Sequence, residues 1–186
     1  MVISAPILES CLTSNNITNL IFLSPRGHKF DYNIAQEFAK YNELSFLCGR
    51  YEGIDQRIFT KYNIIEISIG DFILCGGEVA SQVIIESVVR LKTGVLNNEN
   101  SIIEESFHNG LLEHNHYTRP KIWNNLHTPD YLFNGNHNEI NKHRFVESYY
   151  NTLNSRQDIF DKYLFHFVII NIFLKISFKK IKKYIL

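Results

Sequence analysis

The first hundred residues alternate between short apolar runs and segments with helical spacing, and this alternation limits the folds open to the chain. The apolar runs, which predict strands, are Leu20–Leu23, Leu44–Cys48, Ile64–Ile67 and Phe72–Leu74. The segments with helical spacing are Ser4–Asn15, Asp31–Tyr41, Ile54–Tyr62 and Glu78–Leu91. Continuous apolar strands separated by helices indicate an α/β fold, with a mainly parallel sheet that helices cover on both faces. Ligands of such sheets bind beyond the carboxyl ends of the strands.

The second part of the chain has a different pattern. Residues 96–107 begin with a polar stretch and predict a mobile linker between a domain spanning 1–95 and one spanning 108–186. Helical spacing returns in Glu139–Asn151 and again from Asp158 to Leu186, so the second domain is expected to be small and helical. Its apolar stretch Tyr163–Ile176 is shorter than the ~20 residues that cross a bilayer, which favours a packed C-terminal helix.

The charges are distributed unevenly, although the formal net charge is zero. Residues 1–100 carry 8 Lys/Arg and 11 Asp/Glu, whereas residues 101–186 carry 11 and 8 and hold seven of the eight histidines. Zero net charge argues against a protein that binds nucleic acid along its whole surface. The basic, His-rich second part predicts that an anionic partner is held there.

Two further features bound the class of protein. The apolar fraction of 45%, with no basic-then-apolar opening segment, predicts a globular cytoplasmic protein with no membrane partner. The three cysteines lack Cys-x-x-Cys spacing, which predicts reduced core residues and no zinc site; they are Cys11, Cys48 and Cys75.

Glycines gather where the apolar runs stop. Five of the nine glycines fall between Gly49 and Gly77, and Gly27 follows the first run. Glycine lets backbone amides approach a ligand closely, so these loops predict one shared pocket, although ordinary strand-to-helix turns also favour glycine. Neither the dinucleotide nor the P-loop glycine pattern occurs, so a nucleoside such as adenosine fits this pattern better than a polyphosphate.

A series of longer motifs then makes the resemblance specific. In order along the chain these are Leu23-Ser24-Pro25-x-Gly27, Cys48-Gly49-Arg50-Tyr51-Glu52-Gly53-Ile54-Asp55, Ser68-Ile69-Gly70-Asp71 through Gly76-Gly77-Glu78, Ser87-Val88-Val89-Arg90 with Gly94-Val95-Leu96, His116-Tyr117-Thr118-Arg119-Pro120 and Gly135-Asn136-His137. They resemble the successive blocks of the bacterial tRNA (guanine-37-N1)-methyltransferase family and cover residues 1–165.

The resemblance implies a deep trefoil knot of the SPOUT superfamily, a homodimer with its active site at the subunit interface, and S-adenosylmethionine as methyl donor. It also implies Mg²⁺ assistance, for which the sequence identifies no site. The residues carried over to the donor site are Leu23, Ser24, Pro25, Gly49, Tyr51, Glu52, Ile69, Gly70, Asp71, Phe72, Ile73, Leu74, Gly76 and Gly77.

Two catalytic roles follow from the same resemblance. Methyl transfer to N1 of guanine needs removal of the N1 proton and stabilisation of charge on O6. The family places an aspartate before Ser-Phe as the base; here Glu105 stands at that position, with Glu104 as the alternative. Arg90 matches the arginine that would act on O6. The acidic residues would otherwise be solvated linker charges, and Arg90 a surface partner of Glu86.

The second domain is expected to bind the anticodon stem-loop of tRNA, through residues that can pair with phosphates or stack on bases. These are His116, Tyr117, Arg119, His137 and Arg144. Family members carry a glycine-rich segment before the point where this chain opens, so we expect an N-terminally shortened domain. A catalytically impaired remnant that still binds S-adenosylmethionine or tRNA therefore stays open as an alternative, and a generic nucleotide-binding α/β protein is a weaker one.

Overall fold

The computed structural model describes residues 1–15, 17–50, 52–95 and 100–169. The chain divides into two compact units between Glu99 and Asn100. The first unit alternates helices and strands in the order α1 (Ala5–Ser14), β1 (Leu20–Lys29), α2 (Tyr32–Phe38), β2 (Ser45–Leu47), α3 (Arg57–Lys61), β3 (Ile64–Ser68) and α4 (Gly77–Val89).

The strands of unit 1 form one parallel sheet, as the sequence predicts. Its order is β2-β1-β3, and β1 lies at the centre with Leu20 opposite both Ser45 and Ile64. Parallel strands buried on both faces are continuous apolar runs, which explains why the runs along the chain located all three. The mainly parallel α/β class is therefore confirmed.

Side chains that alternate along β1 enter two separate cores, because successive residues of a strand point to opposite faces. Leu20 packs with residues of α1 and α3, whereas Ile21 packs with residues of α2, β3 and α4. The first core is Leu8, Leu12, Leu20 and Ile58; the second is Ile21, Ala35, Phe38, Ile67, Ile84 and Val88. Helices thus cover both faces of the sheet.

One predicted strand is wrong. Residues 72–74 have no strand pairing, and Phe72 and Ile73 are 54% and 81% exposed. Gly70, with φ of +152°, turns the chain after β3, so the apolar run that follows lies in the connection to α4. The prediction of core cysteines is also wrong for Cys11 and Cys75, which are exposed.

Strand β1 is interrupted in a way that matters for the site. Leu23 and His28 both lie opposite Ile67, so the four residues between them leave the ladder. A Cβ built on Gly27 would lie 2.4 Å from the backbone nitrogen of Ile67, a distance that only glycine tolerates. The sequence Ser24-Pro25-Arg26 consequently projects from the sheet as a loop in mid-strand.

Unit 2 contains α5 (Asn100–Glu104), β4 (Ile122–Trp123), β5 (Leu126–His127), a 3-10 helix (Asp130–Phe133) and α6 (His137–Ser155). Residues 157–169 are also helical. The side chain of Asn136 caps α6 by accepting the Glu139 N–H at 3.3 Å. The predicted helices over 139–151 and from 158 are therefore present, although residues 170–186 lie outside the described residues.

The structure describes only residues 100–107 of the predicted linker 96–107. Residues 96–99 lie outside the described residues, whereas α5 occupies residues 100–104. No helix among the described residues is both long and apolar enough to cross a membrane.

Candidate functional site

Three loops of unit 1 enclose a cavity of about 500 Å³. They are the projecting loop of β1, the loop that follows β2, and the connection from β3 to α4. Each leaves a strand of the parallel sheet, and the cavity has the size of a small-molecule site.

Most residues predicted for the donor site come together here. Twelve of them line the cavity: Leu23, Ser24, Pro25, Gly49, Glu52, Ile69, Gly70, Phe72, Ile73, Leu74, Gly76 and Gly77. Asp71 is not part of the lining, and Tyr51 lies outside the described residues. The residues that the sequence-based prediction missed include Arg26, Arg50, Gln56 and Ser68. Arg26 and Arg50 fall within the family motifs at residues 23–27 and 48–55. Those motifs are the sequence signal that could have identified both arginines as part of the cavity lining.

Backbone contacts hold two of the loops together. The Gly77 N–H donates to the Gly49 carbonyl at 3.2 Å, and Arg50 forms an isolated β-bridge with Gly76. A Cβ on Gly77 would lie 3.0 Å from Cys48 Cα. Glycine at this position therefore lets the start of α4 pack directly on the loop after β2.

The charged side chains around the cavity are paired. Arg26 contacts Glu66 at 3.3 Å, and Arg50 donates from Nε and Nη2 to Glu78 Oε1 at 3.0 and 2.7 Å. Bonds from its own backbone N–H and from Arg50 hold the pKa of Glu78 below its usual value. The Glu52 carboxylate contacts the amino group of Met1.

The lining combines polar and apolar groups. Ser68 is buried, and its hydroxyl accepts the Gly70 N–H at 3.3 Å and fixes the turn after β3. The wall also contains the charged and amide side chains already described together with apolar side chains such as Leu23, Ile69 and Leu74. Within the described ranges no group of three His, Cys, Asp or Glu side chains is arranged to hold a metal ion.

Arg90 lies away from this cavity in its own chain. It is the C-cap residue that follows the last residue of α4, whereas Gly77 at the start of α4 lines the cavity. Thirteen residues at about 1.5 Å each separate the two positions by about 20 Å.

The acidic residues of the predicted linker lie at the end of α5 in unit 2. Glu104 is the last residue of α5, and its carboxylate accepts two bonds from Arg144 Nη1. Glu105 follows directly, and its N–H donates to the Ile102 carbonyl at 3.3 Å.

The residues predicted to contact RNA lie mainly on one exposed stretch of unit 2. His116, Tyr117 and Arg119 fall within residues 115–127, all of which are exposed. His116 Nε2 lies 3.4 Å from Glu113 Oε2. His137 is exposed at the start of α6, whereas the Arg144 side chain is 33% exposed and faces Glu104.

A hairpin on the same stretch escaped the sequence-based prediction. Strands β4 and β5 pair with Ile122 opposite His127, and Asn124 and Asn125 turn between them at φ of +48° and +62°. Two central residues with positive φ form the turn type that short hairpins prefer, and asparagine tolerates it. The hairpin exposes Trp123 and Leu126 at 63% and 65%.

Comparison with known proteins gives one consistent result. The family model for tRNA (Guanine-1)-methyltransferase TrmD matches residues 1–162. A protein named tRNA (guanine-N(1)-)-methyltransferase from Pelagibacter ubique is 44% identical over 88% of this chain and 72% of its own length. Proteins of the same name from Borrelia hermsii and Borrelia duttonii are 45% and 48% identical, over 88% and 86% of this chain and 70% and 67% of their own lengths.

Proposed function

Because the chain belongs to the tRNA (guanine-1)-methyltransferase family, we propose that it transfers the methyl group of S-adenosylmethionine to N1 of guanosine 37 in tRNA. The single observation that supports this most is the cavity where three strand-end loops converge. Its lining contains twelve of the fourteen residues that the family motifs assign to the donor site.

The donor would be held by residues of unit 1 alone. S-adenosylmethionine supplies an electrophilic methyl group on a positively charged sulfur. Apolar side chains such as Leu23 and Ile69 suit its adenine ring, while the glycine-rich loops bring backbone donors and acceptors close to the cavity.

The guanine would need an acid–base partner and a cation. In the proposed mechanism the Glu105 carboxylate takes the N1 proton, which makes N1 nucleophilic. Negative charge then gathers on O6, where the Arg90 guanidinium stabilises it and orients the base. N1 would bond to the methyl carbon as the sulfur–methyl bond breaks, and the neutral thioether S-adenosylhomocysteine would leave. The Glu105 proton would then be released to water, which restores the carboxylate for the next cycle.

In the proposal, a second copy of the chain in a homodimer completes the site where the guanine reacts. Within one chain Arg90 lies about 20 Å from the Gly77 end of the cavity, so a second copy is needed to bring such groups together. The outer side of α4 supports a protein contact, because Val79 and Val83 are 59% and 45% exposed. The proposal includes the knotted chain path of the SPOUT superfamily, which the family resemblance implies.

Unit 2 would bind the anticodon stem-loop in the cytoplasm, where tRNA serves in translation. Its exposed stretch offers Arg119 and His116 for phosphates, and His137 extends this surface. Tyr117 and the newly found Trp123 present planar rings on which unpaired bases stack. Mg²⁺ assistance is implied by the family resemblance only, and no residue is proposed as its ligand.

A methylation assay tests the proposal. The chain is incubated with S-adenosylmethionine carrying a labelled methyl group and with a tRNA transcript that has guanosine at position 37; a transcript with adenosine there is the control. We expect 1-methylguanosine in the first transcript only. Calorimetric binding of the donor without product would favour the catalytically impaired remnant. Preferential binding of a purine nucleotide would favour the generic nucleotide-binding protein.

A further inference from the structure

Glu104 and Glu105 are adjacent acids of the same chemistry, and the side chain of Glu104 is held by a contact within unit 2. Arg144 Nη1 donates to both carboxylate oxygens of Glu104, at 3.2 and 3.3 Å. The contact joins the end of α5 to the middle of α6, which are 40 residues apart in the chain. A carboxylate held by a guanidinium is a poorer proton acceptor, because the positive charge favours its ionised form.

Arg144 is held by a packed cluster of unit 2. Its Nε is buried and has no hydrogen-bond partner among the residues that the structure describes. His114, only 8% exposed, lies close enough that its pKa is lowered first by burial and then by the charge of Arg144. The other nearby acid, Glu147, already accepts the Tyr131 hydroxyl at 2.7 Å and the Asn115 N–H at 3.2 Å. A phosphate would therefore have to displace Glu104 to reach the Arg144 Nη1 group.

The chain after Glu105 is fixed as well. The Ser106 hydroxyl accepts the Glu113 N–H at 3.0 Å, and the Phe107 N–H donates to the Leu111 carbonyl at 2.7 Å. Phe107 has a φ of +77°, which bulky residues adopt only where surrounding contacts hold them. Glu105 thus lies between an anchored residue on each side.

We propose that Arg144 is a positioning residue, which anchors Glu104 to α6 and so presents Glu105 as the carboxylate that takes the N1 proton. This rests on the proposed function. A partly exposed ion pair contributes little to stability, so the main effect of this pair is on geometry. A displacement of about 1 Å at a reacting group can lower the rate about a hundredfold. The same assignment removes Arg144 from the residues expected to contact tRNA.

The test compares Glu104→Gln, Arg144→Gln and the double variant, with Lys142→Gln as a control that removes a neighbouring exposed cation from α6. Methyl transfer is measured as kcat and as KM for tRNA. We expect each single variant to lower kcat by about tenfold to a hundredfold with KM for tRNA within about twofold of wild type. The double variant should be no worse than either single variant, because both remove the same contact. The control should retain wild-type kcat.

Two results would overturn the assignment. One is a raised KM for tRNA in Arg144→Gln with a shallower salt dependence and unchanged kcat, the signature of a phosphate contact. The other comes from hydrogen exchange, which needs no activity: the amides of residues 102–107 should exchange faster in both single variants. Unchanged exchange would show that the pair does not anchor α5. If the wild-type chain gives no product, the proposed function fails, while hydrogen exchange still decides the anchor.

Discussion

At the scale of single residues, the sequence leaves two adjacent acids as candidates for the general base and does not choose between them. Residue type and the Ser-Phe that follows pointed to Glu105, with Glu104 as the alternative. The structure adds that Arg144, 40 residues further along the chain, pairs with Glu104 and reaches it only through the fold. A long-range contact of this kind leaves no local pattern in the chain, so the structure was needed to find it.

Substitution of Glu105 tests its role as base. Glu105→Gln keeps the size of the side chain but removes the proton acceptor, so we expect kcat to fall by about 10²–10⁴-fold with tRNA affinity unchanged. Glu105→Asp keeps the carboxylate and should retain more activity than the amide. Equal single-turnover rates of methyl transfer for the wild type and Glu105→Gln would exclude Glu105 as the base.

The buried His114 should make the free energy of unfolding of unit 2 depend on pH. Burial, followed by the charge of Arg144, holds its pKa below the ordinary 6.5. The unfolded chain therefore binds the proton more readily at mildly acidic pH. The free energy of unfolding should be highest above about pH 6.5 and decrease as the pH falls toward the lower pKa of the folded state.

Urea denaturation between about pH 5 and pH 8 measures this dependence. His114→Gln should flatten the slope, even if the substitution also lowers stability at all pH values. The His137→Gln variant is the matched control, since His137 is exposed at the start of α6. A slope that is unchanged in His114→Gln would contradict the prediction.

At the scale of elements, the apolar runs located all three strands of the sheet but added a fourth in residues 72–74. Apolar content alone does not make a strand, because a strand also needs a paired neighbour. These residues instead form part of the cavity wall, so the periodicity predicted the wrong conformation for residues that the family motif groups with the other loops. The β4–β5 hairpin was missed because two residues per strand leave no alternation to recognise.

A substitution at Gly27 tests the interruption of β1 between Leu23 and His28. A Cβ there would lie 2.4–2.6 Å from backbone atoms of Glu66 and Ile67, which have no freedom to move aside. Gly27→Ala should lower the free energy of unfolding by about 1–3 kcal/mol, measured by chemical denaturation. Gly76→Ala is the matched control, because its closest contact is the flexible Glu78 carboxylate. Equal stability of the two variants would contradict the close passage.

At the scale of the whole molecule, the charge distribution along the chain predicts that an anionic partner binds the second part. The chain divides into two compact units between Glu99 and Asn100, within the predicted linker. The sequence could suggest this boundary because residues 97–101 hold little to bury. The sequence did not show that the cavity and Arg90 lie at opposite ends of α4.

The proposed homodimer predicts a specific behaviour in solution. Light scattering should give twice the 21.8 kDa mass of one chain. Val83→Glu places a charge on the exposed side of α4 and should shift the protein toward monomer with loss of methyl transfer, because charges are disfavoured at interface cores. Ile7→Glu, at an exposed apolar position on α1, should leave the mass unchanged. A fully active monomer would contradict the shared site.

The donor cavity is tested most directly by photolabelling. The chain is irradiated with S-adenosylmethionine carrying a tritiated methyl group, and the labelled peptides are located by mass spectrometry. Label should appear in peptides that contain residues 23–27, 49–54 or 69–77, and excess unlabelled donor should suppress it. Label confined to residues 100–169, or label that excess donor leaves undiminished, would contradict a methyl-donor site between these loops.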